Sequence, residues 1–262
     1  MLLADVHCHL HSTQFENDLA EVIKHAEQSA VRVIIENGTT QESNRITLAL
    51  SKKFPIIKPA LGLYPITEEK VPKTLTTAQA NVLLEMIEQH RNEIIAIGEV
   101  GMDYKWTRTE SDKKQQKQTF ARVIQLSEKI KKPLIIHSRN AEQDVLESLQ
   151  TSNVKYAVLH CFSANKKLIT RAADMNLTFS IPPIITRLKH FQELVAQVNI
   201  SQLLTETDAP YLGPLKNERN EPVNVLESIN EIAKTKKLTP EETANILWMN
   251  YQRIFSSHKE SR

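Results

Sequence analysis

Three histidines alternate along the stretch LADVHCHLHS, at His7, His9 and His11, directly behind an apolar start. Alternate residues of an extended strand share one face, so His7 and His9 can meet the same ion while Cys8 points the other way. Two imidazoles hold a metal poorly, and the chain has to supply partners. It does so where other apolar runs end: Glu99 in IIAIGEVGMDY, His137 in PLIIHSR, His160 in YAVLHCFS, and Glu206 and Asp208 in LLTETDAPYL. Imidazole and carboxylate ligands suit zinc, manganese or iron, and carboxylates also take magnesium. The set His7, His9, Glu99, His137, His160 and Asp208 exceeds the needs of one tetrahedral ion. Two divalent ions sharing a carboxylate use it better, and such a pair activates water for hydrolysis. Asp5 has the strand parity of His7 and is expected to orient that imidazole, and Glu206 is expected to support the ligands in the same way or to sit as a satisfied interior carboxylate. His11 lies past the expected strand end and is set aside as a ligand. His25, His90, His190 and His258 fall in helical or polar contexts and read as surface or packing residues.

Positioning these groups requires a frame that gathers strand ends. Short apolar runs recur at Leu2–Val6, Val31–Glu36, Ile56–Gly62, Ile94–Glu99, Leu134–His137, Ala157–His160, Leu177–Ile181 and Leu203–Glu206. Continuous apolarity over such lengths suits parallel strands covered on both faces. Helical patterns separate them, at Asn17–Ala30, Ser43–Phe54, Ala78–Arg91, Lys114–Lys131, Ala141–Gln150, Lys167–Met175, Leu188–Gln197, Val223–Thr235 and Pro240–Asn250. Thr239, Pro240 and Glu242 give the last one an N-cap, a first-turn proline and a capping box. Eight strands alternating with helices in 262 residues predict a (β/α)₈ barrel of the TIM type, read as one domain over residues 1–262. An open doubly wound sheet is the competing architecture, but it calls for a glycine-rich phosphate loop and the chain has five glycines. The barrel places active groups at the C-terminal ends of its strands, which is where the six ligand candidates fall.

The net charge of +2 gives no support to bulk electrostatic coating of nucleic acid, though a local basic rim is compatible with it. Cys8 and Cys161 show no CxxC spacing and read as buried, unreactive thiols in a reduced compartment. No apolar run approaches the roughly 18 residues of a membrane span, and no leader pattern opens the chain. A cytoplasmic protein with no membrane association is expected, and no obligate protein partner is inferred.

Taken in order, DVHCHL, IGEVGMDY, PLIIHSRNA, LHCFS, TETDAPYL, RNEPVNV and NILWMNYQRIF resemble the TatD family of metal-dependent deoxyribonucleases over almost the whole chain. The resemblance implies one metal position held by His7, His9 and Asp208, with Glu99 bridging to a second held by His137 and His160. It implies magnesium, manganese or zinc as the ions, Asp208 as a general base beside the attacking water, and DNA as substrate, single-stranded or at strand ends, trimmed from the 3′ end. Arg139 matches a family arginine beside the site, and Arg219 with Asn220 match a loop that helps position substrate. The alternative for both arginines is a loop-ordering salt bridge. Where the family often has histidine in a GxHP segment this chain reads GLYP, which puts Tyr64 in a position to contact substrate. Ala164 replaces a common glycine, and His11 stands where aspartate commonly follows HxHL.

A basic rim is expected from Lys105, Arg108, Arg139, Lys216 and Arg219, with Trp106 available to stack on a base. The competing activity is hydrolysis of an ester or amide, such as an aminoacyl-RNA ester, by a related barrel. A silent binding barrel is the reading from a different class, and it is disfavoured because unpaired carboxylates in a barrel mouth are costly.

Overall fold

The computed structural model describes residues 1–67, 69–107 and 109–256. Eight strands form one parallel sheet in chain order: β1 (Leu3–Cys8), β2 (Val31–Asn37), β3 (Ile57–Leu63), β4 (Ala96–Asp103), β5 (Leu134–Arg139), β6 (Ala157–His160), β7 (Thr178–Ile181) and β8 (Leu203–Thr205). The chain leaving β8 returns to β1: the Asp208 N–H donates to His7 O at 2.8 Å and the His9 N–H to Ala209 O at 2.7 Å. The sheet is therefore a barrel, as the alternation of apolar runs and helical patterns predicts. Helices α1 (Leu19–Gln28), α2 (Gln41–Lys53), α3 (Thr77–Gln89), α4 (Glu110–Ile130), α5 (Glu142–Gln150), α6 (Lys166–Asp174), α7 (Lys189–Gln197) and α8 (Val225–Lys236) lie between or after the strands, and α9 (Pro240–Phe255) follows.

The apolar residues divide into two clusters. One joins strand residues such as Ile34, Leu61, Ile97, Val100, Ile136 and Leu159 to apolar residues of α1–α8, and so lies between barrel and helices. The other joins Ala4, Val6, Val33, Ile35, Ala60, Ala96, Ile135, Val158 and Leu204 to Tyr251, Ile254 and Phe255 of α9. The second cluster is the barrel interior. Its strand members sit near strand starts, so α9 closes the N-terminal end with three aromatic or branched side chains, leaving the opposite end for polar groups. Among the described residues no helix is long and apolar enough to cross a membrane.

The start of α9 has the cap expected from sequence. Thr239 Oγ1 accepts the Glu242 N–H at 3.2 Å, and Glu242 Oε2 accepts the Thr239 N–H at 2.8 Å. Thr239→Ala removes one acceptor from the first turn and is expected to cost about 1 kcal/mol. A thermal midpoint lowered by about 2–4 °C in a melting curve is the corresponding result.

Two ladder irregularities alter the simple alternation. In β1 the register shifts between Asp5 and Cys8, and in β4 between Ile97 and Val100. Ala4 and Val6 both belong to the interior, so Asp5 between them faces outward. The shared parity of Asp5 and His7 read from sequence is thus wrong: the bulge after Asp5 resets the alternation. The fourth strand also runs beyond Glu99, its expected end, to Asp103.

Candidate metal centre

All six ligand candidates meet at the C-terminal mouth of the barrel. His7 Nε2 and His9 Nε2 lie 3.1 Å apart, and each faces the same two carboxylate oxygens. Glu99 Oε2 is 3.5 Å from His7 and 3.4 Å from His9, and Asp208 Oδ1 is 3.4 and 3.3 Å from them. Separations of 3.1–3.5 Å are the size expected between ligand atoms that each stand about 2 Å from a shared ion. The other oxygen, Glu99 Oε1, is 2.9 Å from His137 Nδ1 and 3.8 Å from His160 Nε2. Glu99 therefore stands between two histidine pairs with one oxygen toward each. Two groupings with metal-ligand spacing, His7–His9–Glu99 and Glu99–His137–His160, share it.

The strand irregularities make this arrangement. Ala96 faces inward and Ile97 outward, and the shift in β4 then turns Glu99 inward and Val100 outward, with Gly101 and Asp103 following Glu99 on the inner face. Strand β3 passes so near that a Cβ on Gly62 would stand 2.2 Å from Glu99 O. The shift in β1 likewise puts His7 and His9 inward and leaves Cys8 in the outer cluster, its thiol 3.4 Å from Glu36 Oε2.

The site is dense in negative charge. Burial works against a proton on His7, yet its hydrogen bonds to the Asp208 and Glu99 carboxylates raise its pKa to about 9. His137 is likewise raised to about 9 against burial, by Asp103 and Glu99. Burial alone would raise Glu99, but His137, His7 and His9 hold it well below the usual carboxylate range. Asp208 is lowered against burial by His7 and His9. Protons on these imidazoles balance buried carboxylates, and a divalent ion would take their place.

Surrounding groups fix the imidazoles. Glu206 Oε2 accepts from His160 Nδ1 at 3.0 Å and from the Ser180 hydroxyl, and Oε1 accepts the Cys161 N–H at 2.9 Å. Asp5 does not reach the His7 ring. It accepts the backbone N–H groups of His7 (3.2 Å) and Thr207 (2.9 Å), so it ties the ends of β1 and β8 together, and burial pushes its pKa up to about 7. His9 Nδ1 is 3.0 Å from Asn37 O, while His7 Nδ1 has no hydrogen-bond partner. His11 Nδ1 is 2.6 Å from Glu36 Oε1, which keeps this ring beside His9 but occupied elsewhere. Burial pushes the thiols of Cys8 and Cys161 well above their ordinary range.

Sequence reasoning missed Glu36 and Asp103, both fully buried. Glu36 also accepts the Leu10 and His11 N–H groups and so shapes the segment after the HxH pair. Asp103 Oδ2 accepts the Tyr64 hydroxyl at 2.9 Å and lies 3.2 Å from His137 Nε2. The available signal was its spacing of four from Glu99, which returns it to the same face of a strand that continues.

The outer candidates separate. Arg139 ends β5, two residues past His137, with its side chain exposed and its charge acting on Tyr64 and Cys161. Arg219 is tied elsewhere. Its guanidinium donates to both oxygens of Asp18 (2.8 and 2.6 Å), to Glu221 (2.8 Å) and to Gln14 O (2.6 Å), above the Phe15 ring. This placement favours the loop-ordering reading over substrate contact. Asn220 braces the same loop, donating to Thr207 O and Tyr211 O at 2.7 and 2.6 Å. Lys105 lies over the exposed Trp106 ring. His90 pairs with Glu93, His190 meets Phe162 O, and His25 stands near Glu221. Arg108 and His258 lie outside the described residues.

Residues 4–256 match the sequence model of the TatD-related DNase family. The chain belongs to that family. Among TatD relatives, deoxyribonuclease TATDN3 of Homo sapiens is 31% identical over 258 residues, covering 97% of this chain and 94% of its own. The uncharacterized metal-dependent hydrolase YabD of Bacillus subtilis (strain 168) is 31% identical over 260 residues, covering 97% and 99%. The barrel is shared with YJJV, a TatD homologue from Escherichia coli K12 of known structure, at a TM-score of 0.86 and 23% identity over 97% of this chain and 98% of that one. A TatD family hydrolase from Entamoeba histolytica superposes with a TM-score of 0.83 at 18% identity over 97% of this chain and 98% of that one. This TatD-family chain is a hydrolytic enzyme of the metal-dependent kind.

Proposed function

We propose that the chain hydrolyses DNA phosphodiester bonds, acting on single strands or strand ends from the 3′ side. The observation that carries this reading is the Glu99 carboxylate, one oxygen toward His7 and His9 and the other toward His137 and His160. His7, His9 and Asp208 would hold one divalent ion, His137 and His160 a second, and Glu99 both. Two magnesium, manganese or zinc ions bound there would supply charge neutralisation for the phosphate and an acidified water. Asp208 stands at the open side of the cluster, its side chain 13% exposed, and accepts the proton of the attacking water. Arg139 supplies a cation that can pair two phosphate oxygens at once. Trp106 and Tyr211, both exposed beside the mouth, offer ring faces to unpaired bases.

The test uses a 5′-labelled single-stranded oligonucleotide with manganese or magnesium. A ladder of progressively shortened labelled products is expected, stopped by a chelator. No shortening with either metal would sink the nuclease reading. Immediate release of the labelled 5′ nucleotide would overturn the polarity alone, and discrete internal fragments would overturn the strand-end reading.

A further inference from the structure

Neutral imidazole carries one N–H, and a ring that binds a metal through one nitrogen must keep its hydrogen on the other. His137 faces Glu99 through Nδ1, so its hydrogen belongs on Nε2. Two groups wait there: Asp103 Oδ2 at 3.2 Å and the Tyr64 hydroxyl at 3.1 Å. Tyr64 donates its own hydrogen to the same Asp103 oxygen at 2.9 Å, and Asp103 Oδ1 accepts the Lys105 N–H at 2.8 Å. The carboxylate is thereby held by the ends of β3, β4 and the loop after β4, with its remaining acceptor capacity aimed at His137. His160 shows the mirror arrangement, offering Nε2 to Glu99 while Nδ1 meets the buried Glu206. The other histidine pair has no such support: His9 Nδ1 meets a backbone carbonyl and His7 Nδ1 has no partner.

We infer that Asp103, clamped by Tyr64, is a positioning residue that fixes His137 with its hydrogen on Nε2 and its Nδ1 lone pair toward the second metal position. This moves Tyr64 from substrate contact to support of a ligand. It also makes the two positions unequal. Both histidines of the second are backed by buried carboxylates, which raises ligand basicity, and neither histidine of the first is. The inference rests on the two-position reading above.

Cobalt(II) titration of the purified protein by calorimetry, followed by the absorption spectrum of the bound ion, tests it without recourse to activity. Wild type is expected to show two binding events. Asp103→Asn presents an amide that can donate as well as accept, so the hydrogen on Nε2 is no longer enforced. One event should weaken by about 10- to 100-fold while the other keeps its affinity and spectrum. Tyr64→Phe, which leaves the carboxylate in place, should weaken the same event by less, and Glu206→Gln should act on that event too. Asp103→Asn with both events unchanged, or with both weakened alike alongside a lowered melting temperature, would overturn the inference. A wild type that binds a single ion would remove the two-position reading and this inference with it. Two events in wild type that Asp103→Asn leaves untouched would remove this inference alone.

Discussion

Glu99→Ala is expected to abolish hydrolysis, by more than about a thousandfold, equivalent to roughly 4 kcal/mol of barrier. The reason lies in how many groups depend on one carboxylate. Its two oxygens lie within 3.8 Å of nitrogens of His7, His9, His137 and His160, one oxygen toward each pair. Alanine leaves the second position with two neutral imidazoles and the first with two imidazoles and Asp208. Metal addition should raise the melting temperature of wild type, because an ion that binds only the folded state stabilises it by mass action. Glu99→Ala should lose most of that rise while keeping a wild-type circular-dichroism spectrum. Glu99→Gln keeps the volume and removes the charge, and should behave like alanine. A variant that retains both the metal-dependent stabilisation and the rate would remove Glu99 from the centre of the site.

Gly101→Ala is expected to be the most damaging single-methyl change to the fold. Gly101 has φ +143°, a conformation that residues with a side chain rarely adopt, and a Cβ there would stand 2.0 Å from His137 O. That oxygen is backbone of β5, paired in register with Gly101, so it cannot swing aside as a side-chain tip would. Backbone strain of about 1–3 kcal/mol adds to overpacking of about 1–3 kcal/mol, for a loss on the order of 3 kcal/mol or more. At this size a loss of 3 kcal/mol lowers the melting midpoint by about 6–12 °C. The displacement would also part Glu99 from His137, since Gly101 lies two residues beyond one and opposite the other. An alanine variant that melts with wild type would show that β4 and β5 can separate at this point without cost.

Much of the barrel and its mouth is legible locally. Ile94–Glu99 or Ala157–His160 reads as a strand because a buried parallel strand is apolar on both faces, and its first polar residue marks the C-terminal end. That logic found His7, His9, Glu99, His137, His160 and Asp208, and the structure gathers all six. It failed where alternation is reset. Counting by twos from His7 makes Asp5 its neighbour, whereas the shift after Asp5 turns that carboxylate outward to Thr207. Counting in β4 stopped at Glu99, the first polar residue of its run, although the ladder continues to Asp103.

What the sequence determined by itself is the inventory: the alternation that builds a (β/α)₈ barrel, and residue types at strand ends able to bind divalent ions. These are properties of single segments, set by hydrophobic period and side-chain chemistry. Only the tertiary structure decided how the inventory is used. It gave Glu99 one oxygen for each histidine pair, assigned Nδ1 of His137 and Nε2 of His160 to the centre, and turned Arg219 to Asp18 and Tyr64 to Asp103. Each of those outcomes is a contact between segments far apart in the chain, and period within a segment carries no record of them.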